Sequence, residues 1–107
     1  MKAFDTPALL IHRDRVEANI DHMLALGGTR LMPHVKTHKM DAVTRLMIEK
    51  GITRFKASTL AEAEMVARCG GTEVLVAQQL VGPKIAWARE LAHKYPATRW
   101  SFLVDDA

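Results

Sequence analysis

Disulfides are the first thing this 107-residue chain lacks. Its one cysteine, Cys69, excludes an internal disulfide framework and fits a reducing cytoplasm. No apolar stretch nears the roughly 18 residues needed to cross a bilayer. The N-terminus has no basic start leading into an apolar core, so no membrane partner and no secretory leader are expected. Aromatic residues are scarce at 6%, and the lysines and arginines lie among acids, as in Arg13-Asp14-Arg15-Val16-Glu17. Nucleic-acid binders concentrate their charge on one face or interleave it with aromatics. The net charge of +3 therefore points to a small anionic ligand near Lys36 and Lys39, with no nucleic-acid partner. What remains is 49% apolar and 25% charged residues, the balance of a soluble globular protein long enough for one domain and too short for two.

Strands and helices alternate along the chain. Ala8–Ile11 reads as a strand after Pro7. Asp14 and Glu17 then resemble a capping box for a helix carrying Val16, Ile20, Met23 and Leu24, stopped by Gly27-Gly28. Arg30–Val35 reads as a second strand, followed by a helix from Met40 to Lys50 with Val43, Leu46 and Met47 on its inner stripe. Arg54–Ala57 is a third strand, and Thr59 with Glu62 caps a helix closed by Gly70-Gly71. Glu73–Ala77 is apolar enough to suggest burial on both faces. Pro83 suits the first turn of a fourth helix, whose inner stripe is Ile85, Ala88, Leu91, Ala92 and Tyr95. Trp100–Val104 is a fifth strand. This alternation implies an α/β fold with a parallel sheet and right-handed crossovers. An open doubly wound sheet and part of an eight-stranded barrel both satisfy the spacing. The chain ends on a buried-type strand, so it is expected to be the front of a longer protein.

The densest chemistry lies in Leu31-Met32-Pro33-His34-Val35-Lys36-Thr37-His38-Lys39. An apolar approach ends in amine, imidazole and hydroxyl groups. A lysine kept partly dry or flanked by cations loses its proton more easily, and the free amine attacks carbonyls to form a Schiff base. Lys36 is the candidate, and the competing reading is a surface lysine at a strand end. His34, two residues earlier on a strand, shares its face. It either packs near a bound cofactor or is a structural histidine.

Pro33-His34-Val35-Lys36-Thr37-His38-Lys39 closely resembles the signature of the D-threonine aldolase and D-serine dehydratase-like family, pyridoxal-phosphate enzymes with an alanine-racemase-type barrel. Thr6–Ile11 with Asn19-Ile20, Ser58–Glu64, Val81–Lys84 and Val104–Asp106 match its other elements in order. The resemblance implies a TIM barrel of eight strands and helices followed by a mostly β domain, with residues 1–107 forming about half of the barrel. It implies that pyridoxal 5'-phosphate is carried on Lys36, at the end of the first barrel strand, and that Ala8–Ile11 belongs with the second domain. It further implies a lyase acting on D-β-hydroxy amino acids, with retro-aldol cleavage of D-threonine-like substrates first and D-serine-type β-elimination second. A non-catalytic cofactor carrier is the third reading. The family's phosphate-binding loop and its metal-binding histidine pair have no counterpart here. A divalent metal would have its ligands outside this chain, homo-oligomers would need the longer protein, and the chain alone is expected to be inactive.

Around the rim of such a barrel, Ser58 is the further cofactor-contact candidate, and Thr59 has a complete task as a helix cap. Thr37 is expected to bond local backbone. His34 and His38 stand four apart, but Pro33 disfavours the helix a metal pair would need. Gln78, Gln79, Asp105 and Asp106 read as solvated loop or turn residues, Cys69 as packing, and Met32, Met40 and Met47 as core filling.

Overall fold

The computed structural model describes residues 3–105. Four helices, α1 (Arg13–Gly27), α2 (Asp41–Glu49), α3 (Leu60–Cys69) and α4 (Pro83–Lys94), alternate with three strands, β1 (Arg54–Ala57), β2 (Glu73–Gln79) and β3 (Arg99–Leu103). The strands form one parallel sheet in the order β1-β2-β3, in which Val74 pairs with Phe55 on one side and Trp100 on the other, and Leu75 with Lys56 and Ser101. Two short 3-10 turns, Gly28–Arg30 and Val35–Thr37, precede α2.

Helix-to-strand joints repeat one device. After α2, Gly51 at φ 99° lets its own N–H reach Ile48 O and the Ile52 N–H reach Met47 O, both at 2.9 Å. After α3, Gly70 at φ 98° does the same with Ala67 O and, through Gly71, Val66 O, both at 3.0 Å. These are Schellman closures, which satisfy the last helical carbonyls and turn the chain into the next strand. The strand starts are then laced together, Thr72 N–H to Thr53 O and Arg99 N–H to Thr72 O, each 2.8 Å.

One face of the sheet is covered. Phe55, Ala57, Val74 and Val76 point into a core closed by Leu60, Ala63 and Val66 of α3 and by Ala88 and Leu91 of α4, with Val35 packed in. Each large side chain removed from water there stabilises by roughly 1.5–3 kcal/mol. Glu64 ties α3 to α4 by accepting from Lys94 Nζ at 2.8 Å and Tyr95 Oη at 3.2 Å. On the opposite face Arg54, Lys56, Leu75 and Ser101 are only half-buried. The Cα radius of gyration, 15.5 Å, exceeds the about 13 Å of a compact domain this long, as expected of a sheet covered on one side.

Several expectations need correction. Ala8–Ile11 is not a strand: it finds no pairing partner among the described residues, and Leu9 is 73% exposed. Arg30–Val35 makes one bridge, His34 beside Lys56, because Gly28–Arg30 is still turning and Pro33 has no N–H to donate. Pro33 does accept from Lys56 N–H at 2.9 Å. β2 runs on to Gln79 and is buried on alternate residues, since helices cover one face only. α1 is preceded by His12 rather than capped by Asp14, and Glu17 pairs with Arg13 at 2.7 Å. On α4, Ile85 is exposed while Ala88 and Leu91 are buried, and on α2 the fully buried residue is Thr44.

Candidate functional site

The C-terminal ends of parallel strands are where α/β folds assemble sites, because the loops there converge and helix N-termini point toward them. His34 is beside β1, Val35–Thr37 follows as a 3-10 turn, and Ser58 leaves the end of β1. Val35, fully buried, anchors the turn in the core.

The fold brings His34 and Ser58 together. The His34 ring spans two partners: Nδ1 lies 3.1 Å from Lys56 O, and Nε2 lies 3.2 Å from Ser58 Oγ. A carbonyl only accepts, so Nδ1 carries the proton and Nε2 accepts from the Ser58 hydroxyl. The Lys36 N–H also approaches Nδ1, at 3.4 Å, but a protonated Nδ1 has no lone pair for it. The shorter contact decides the tautomer. With its hydrogen committed to His34, Ser58 Oγ presents acceptor lone pairs only. Neither His34 nitrogen is left for a metal.

Lys36 lies in the 3-10 turn rather than on a strand, so the alternation expected to align it with His34 does not apply. Its side chain is exposed, against the expectation of a partly dry amine. The physical reason is local: the sheet face beside it carries no covering layer among the described residues. The carbonyl of Lys36 accepts from Lys39 Nζ at 2.8 Å. Lys39 itself sits at φ 50°, a left-handed conformation that costs a side-chain-bearing residue about 1–2 kcal/mol. Thr37 is exposed and its hydroxyl bonds nothing among the described residues, unlike the local bond expected.

His38 closes the turn. Its Nδ1 accepts from Met40 N–H at 3.0 Å, so its proton is on Nε2, which is buried without a partner among the described residues. Burial lowers its pKa below the ordinary histidine value. Across the rim, Thr59 caps α3 by accepting from Glu62 N–H at 3.2 Å. The Glu62 carboxylate, 6% exposed, does not reach back to Thr59 as a capping box would. It accepts from Ser58 N–H at 2.7 Å and lies 3.5 Å from Lys39 Nζ. Sequence reasoning missed this, although Lys39 three residues after Lys36 and Glu62 four after Ser58 are spacings that bring groups onto one side of a turn.

The other candidates stand apart from this cluster. Gln78, Gln79 and Asp105 are exposed, and Asp106 lies outside the described residues. Cys69 is buried with its Sγ 3.8 Å from Asp41 O, and burial raises its pKa, which suits packing. Two hollows, about 430 and 410 Å³, lie along α1 and α2, lined by Val16, Leu46 and Glu49 and by Ile20, Leu31 and Met47. A hollow of about 330 Å³ bounded by Lys39, Thr59, Glu62 and Arg68 adjoins the rim. Volume and chemistry disagree here, and the convergent polar groups mark the site better than an apolar groove does. No helix among the described residues is long and apolar enough to cross a membrane.

Comparison with known proteins bears on the fold and the family. D-threo-3-hydroxyaspartate dehydratase of Delftia sp. (strain HT23) is 36% identical over 93 residues, covering 84% of this chain and 24% of the enzyme. Two solved structures of mutants of D-threo-3-hydroxyaspartate dehydratase, one in the metal-free form, superpose with TM-scores of 0.74 and 0.73 at 35% identity. Each match covers 85% of this chain, and 24% and 25% of theirs respectively. The chain thus spans about a quarter of the length of these relatives. The model of the alanine racemase N-terminal domain matches residues 11–96. With its parallel strands and their covering helices, the chain belongs to the alanine racemase N-terminal domain family, whose domain is the start of a TIM barrel.

Proposed function

We propose that this chain is the cofactor-bearing start of a pyridoxal-phosphate-dependent lyase acting on D-configured β-hydroxy amino acids, and that Lys36 is the amine on which the cofactor is carried. The observation that carries this reading is that exposed Lys36 lies in the turn directly after His34, whose ring bonds Ser58 at the C-terminal end of β1. The donor set fits the group: a primary amine for its aldehyde, and a fixed imidazole and hydroxyl to line its ring. Bound pyridoxal phosphate supplies an electron sink for the charge left when a substrate bond breaks.

The rest is the work of this chain's own residues. Lys36 Nζ, once free of the cofactor, is the group available to take a proton from the substrate and return it. His34 is held in place by its bond to Lys56 O. It orients Ser58 so that Oγ accepts from a donor group in the pocket. The relative's name, a hydroxyaspartate dehydratase, favours elimination of water over retro-aldol cleavage. Products separate the two: elimination followed by hydrolysis yields a 2-oxo acid and ammonia, and retro-aldol cleavage yields glycine and an aldehyde.

The test mixes the full chain with pyridoxal phosphate, follows the absorbance band of covalent attachment, and fixes the adduct with borohydride for peptide mapping. The added mass is expected on the Lys36 peptide, and Lys36→Ala is expected to lose both band and adduct with its thermal melt unchanged. Persistence of both in Lys36→Ala overturns the reading.

A further inference from the structure

Glu62 is buried, and a carboxylate taken out of water needs partners. Its partners are on opposite sides of the candidate site. Oε2 grips the Ser58 amide at 2.7 Å, which fixes the residue whose hydroxyl meets His34. Oε1 lies 3.5 Å from Lys39 Nζ, and that same ammonium donates to the Lys36 carbonyl at 2.8 Å. One carboxylate therefore holds both backbones, directly at Ser58 and through one lysine at Lys36. Helix capping does not explain this, because Thr59 Oγ1 already serves the α3 terminus by accepting from Glu62 N–H. Nor is Lys39 in its place by backbone preference, since φ 50° is unfavourable for lysine. Its backbone N–H bonds Val35 O at 2.9 Å, and its side chain is tied to Lys36 O and Glu62.

We propose that Glu62 is a positioning residue: acting through the Ser58 amide and through Lys39 on the Lys36 carbonyl, it sets the distance between the Lys36 amine and the Ser58–His34 pair. The proposal deepens the reading of Lys36 as the attachment amine and rests on it.

Two variants separate this role from a merely structural one. Glu62→Gln keeps an oxygen for the Ser58 N–H but turns an amide N–H toward Lys39. Lys39→Met removes the cation at a position whose side chain is 63% exposed, so its thermal melt should match the parent. In the full chain, each is expected to slow adduct formation on Lys36 by roughly 10- to 100-fold, the effect of displacing a reacting group by about an ångström. The double variant is expected to be no slower than the slower single one, since both cut the same link. Lys39→Arg, which keeps charge and donors, restores most of the rate. Without cofactor, the Lys36 carbonyl carbon-13 resonance should move in both single variants.

Parental rates in both variants, or multiplied losses in the double, overturn the proposal while leaving loss of the adduct in Lys36→Ala, and so the underlying reading, intact. Persistence of the adduct in Lys36→Ala overturns that reading instead. The carbon-13 resonance still judges the Glu62–Lys39–Lys36 link, and a resonance unmoved in both variants overturns it.

Discussion

The two sides of β1 obey different rules. Toward α3, Phe55 and Ala57 are fully enclosed and meet Val74 and Val76 across the register, so their side chains are shut away from water. Toward the open face and its rim stand Lys56, His34, Ser58 and Lys36, half-buried or exposed and held by a few polar contacts. The strained residue Lys39 and the unpartnered His38 Nε2 both fall on the rim side. Stability is thus concentrated on one side of a four-residue strand and candidate chemistry on the other. Site residues are the ones a fold leaves incompletely satisfied.

Truncation on the enclosed side is the strongest challenge to that division. Phe55→Ala removes a fully buried ring from between α3 and β2 and is expected to cost about 3–5 kcal/mol. That is a large share of the roughly 5–15 kcal/mol that holds a typical domain together. Denaturant melts measure it. A loss under about 1 kcal/mol would mean that the core relaxes freely and that the two sides do not differ in kind.

A smaller effect is expected at the joint behind the core. A Cβ built on Gly71 falls 2.5 Å from Val66 Cγ1 and 3.1 Å from Val66 O, so Gly71→Ala must push the end of α3 away from β2. The expected cost is about 1–3 kcal/mol of overpacking strain. Gly27→Ala makes the control, because its close contacts are with the end of the Leu31 side chain, which can turn aside. Equal losses at the two glycines would show that the α3–β2 joint is no tighter than the surface near α1.

How much of this was legible in the sequence follows the same division. α2, α3, β1 and β2 were readable because local signals and tertiary packing agree: a capping threonine, a closing glycine, and apolar residues at the period of the element. Ala8–Ile11 and Arg30–Val35 carried strand-like composition but lacked partners, and a strand is a property of its neighbours. The expected stripe of α4 included Ile85, yet only Ala88 and Leu91 are buried, because a period cannot tell how much surface lies opposite. At the site, residue types were legible and their connections were not. The sequence motif singled out Lys36, His34 and Ser58. The His34–Ser58 bond depends on the approach of the His34 bridge to β1, a contact over more than twenty positions.

The rim should also respond to acid where the core does not. Burial disfavours the charged form of His38, so its folded pKa lies below the ordinary histidine value of 6.5 and below its unfolded one. The geometry agrees: Met40 N–H donates to Nδ1, and protonation would remove the lone pair that receives it. The unfolded chain then binds more protons than the folded one just below pH 6.5, and stability falls as the pH drops through that value toward the folded pKa. Above it the contribution is fully present. Thermal melts of the parent and of His38→Gln across this range give the test, since subtracting the two isolates His38 from the other histidines. The difference is expected to be flat above 6.5 and to shrink on acidification, as the parent loses what the variant never had. A difference that grows in acid would mean that His38 carries its charge in the folded state, and the rim would then be a stabilised surface rather than the incompletely satisfied one described above.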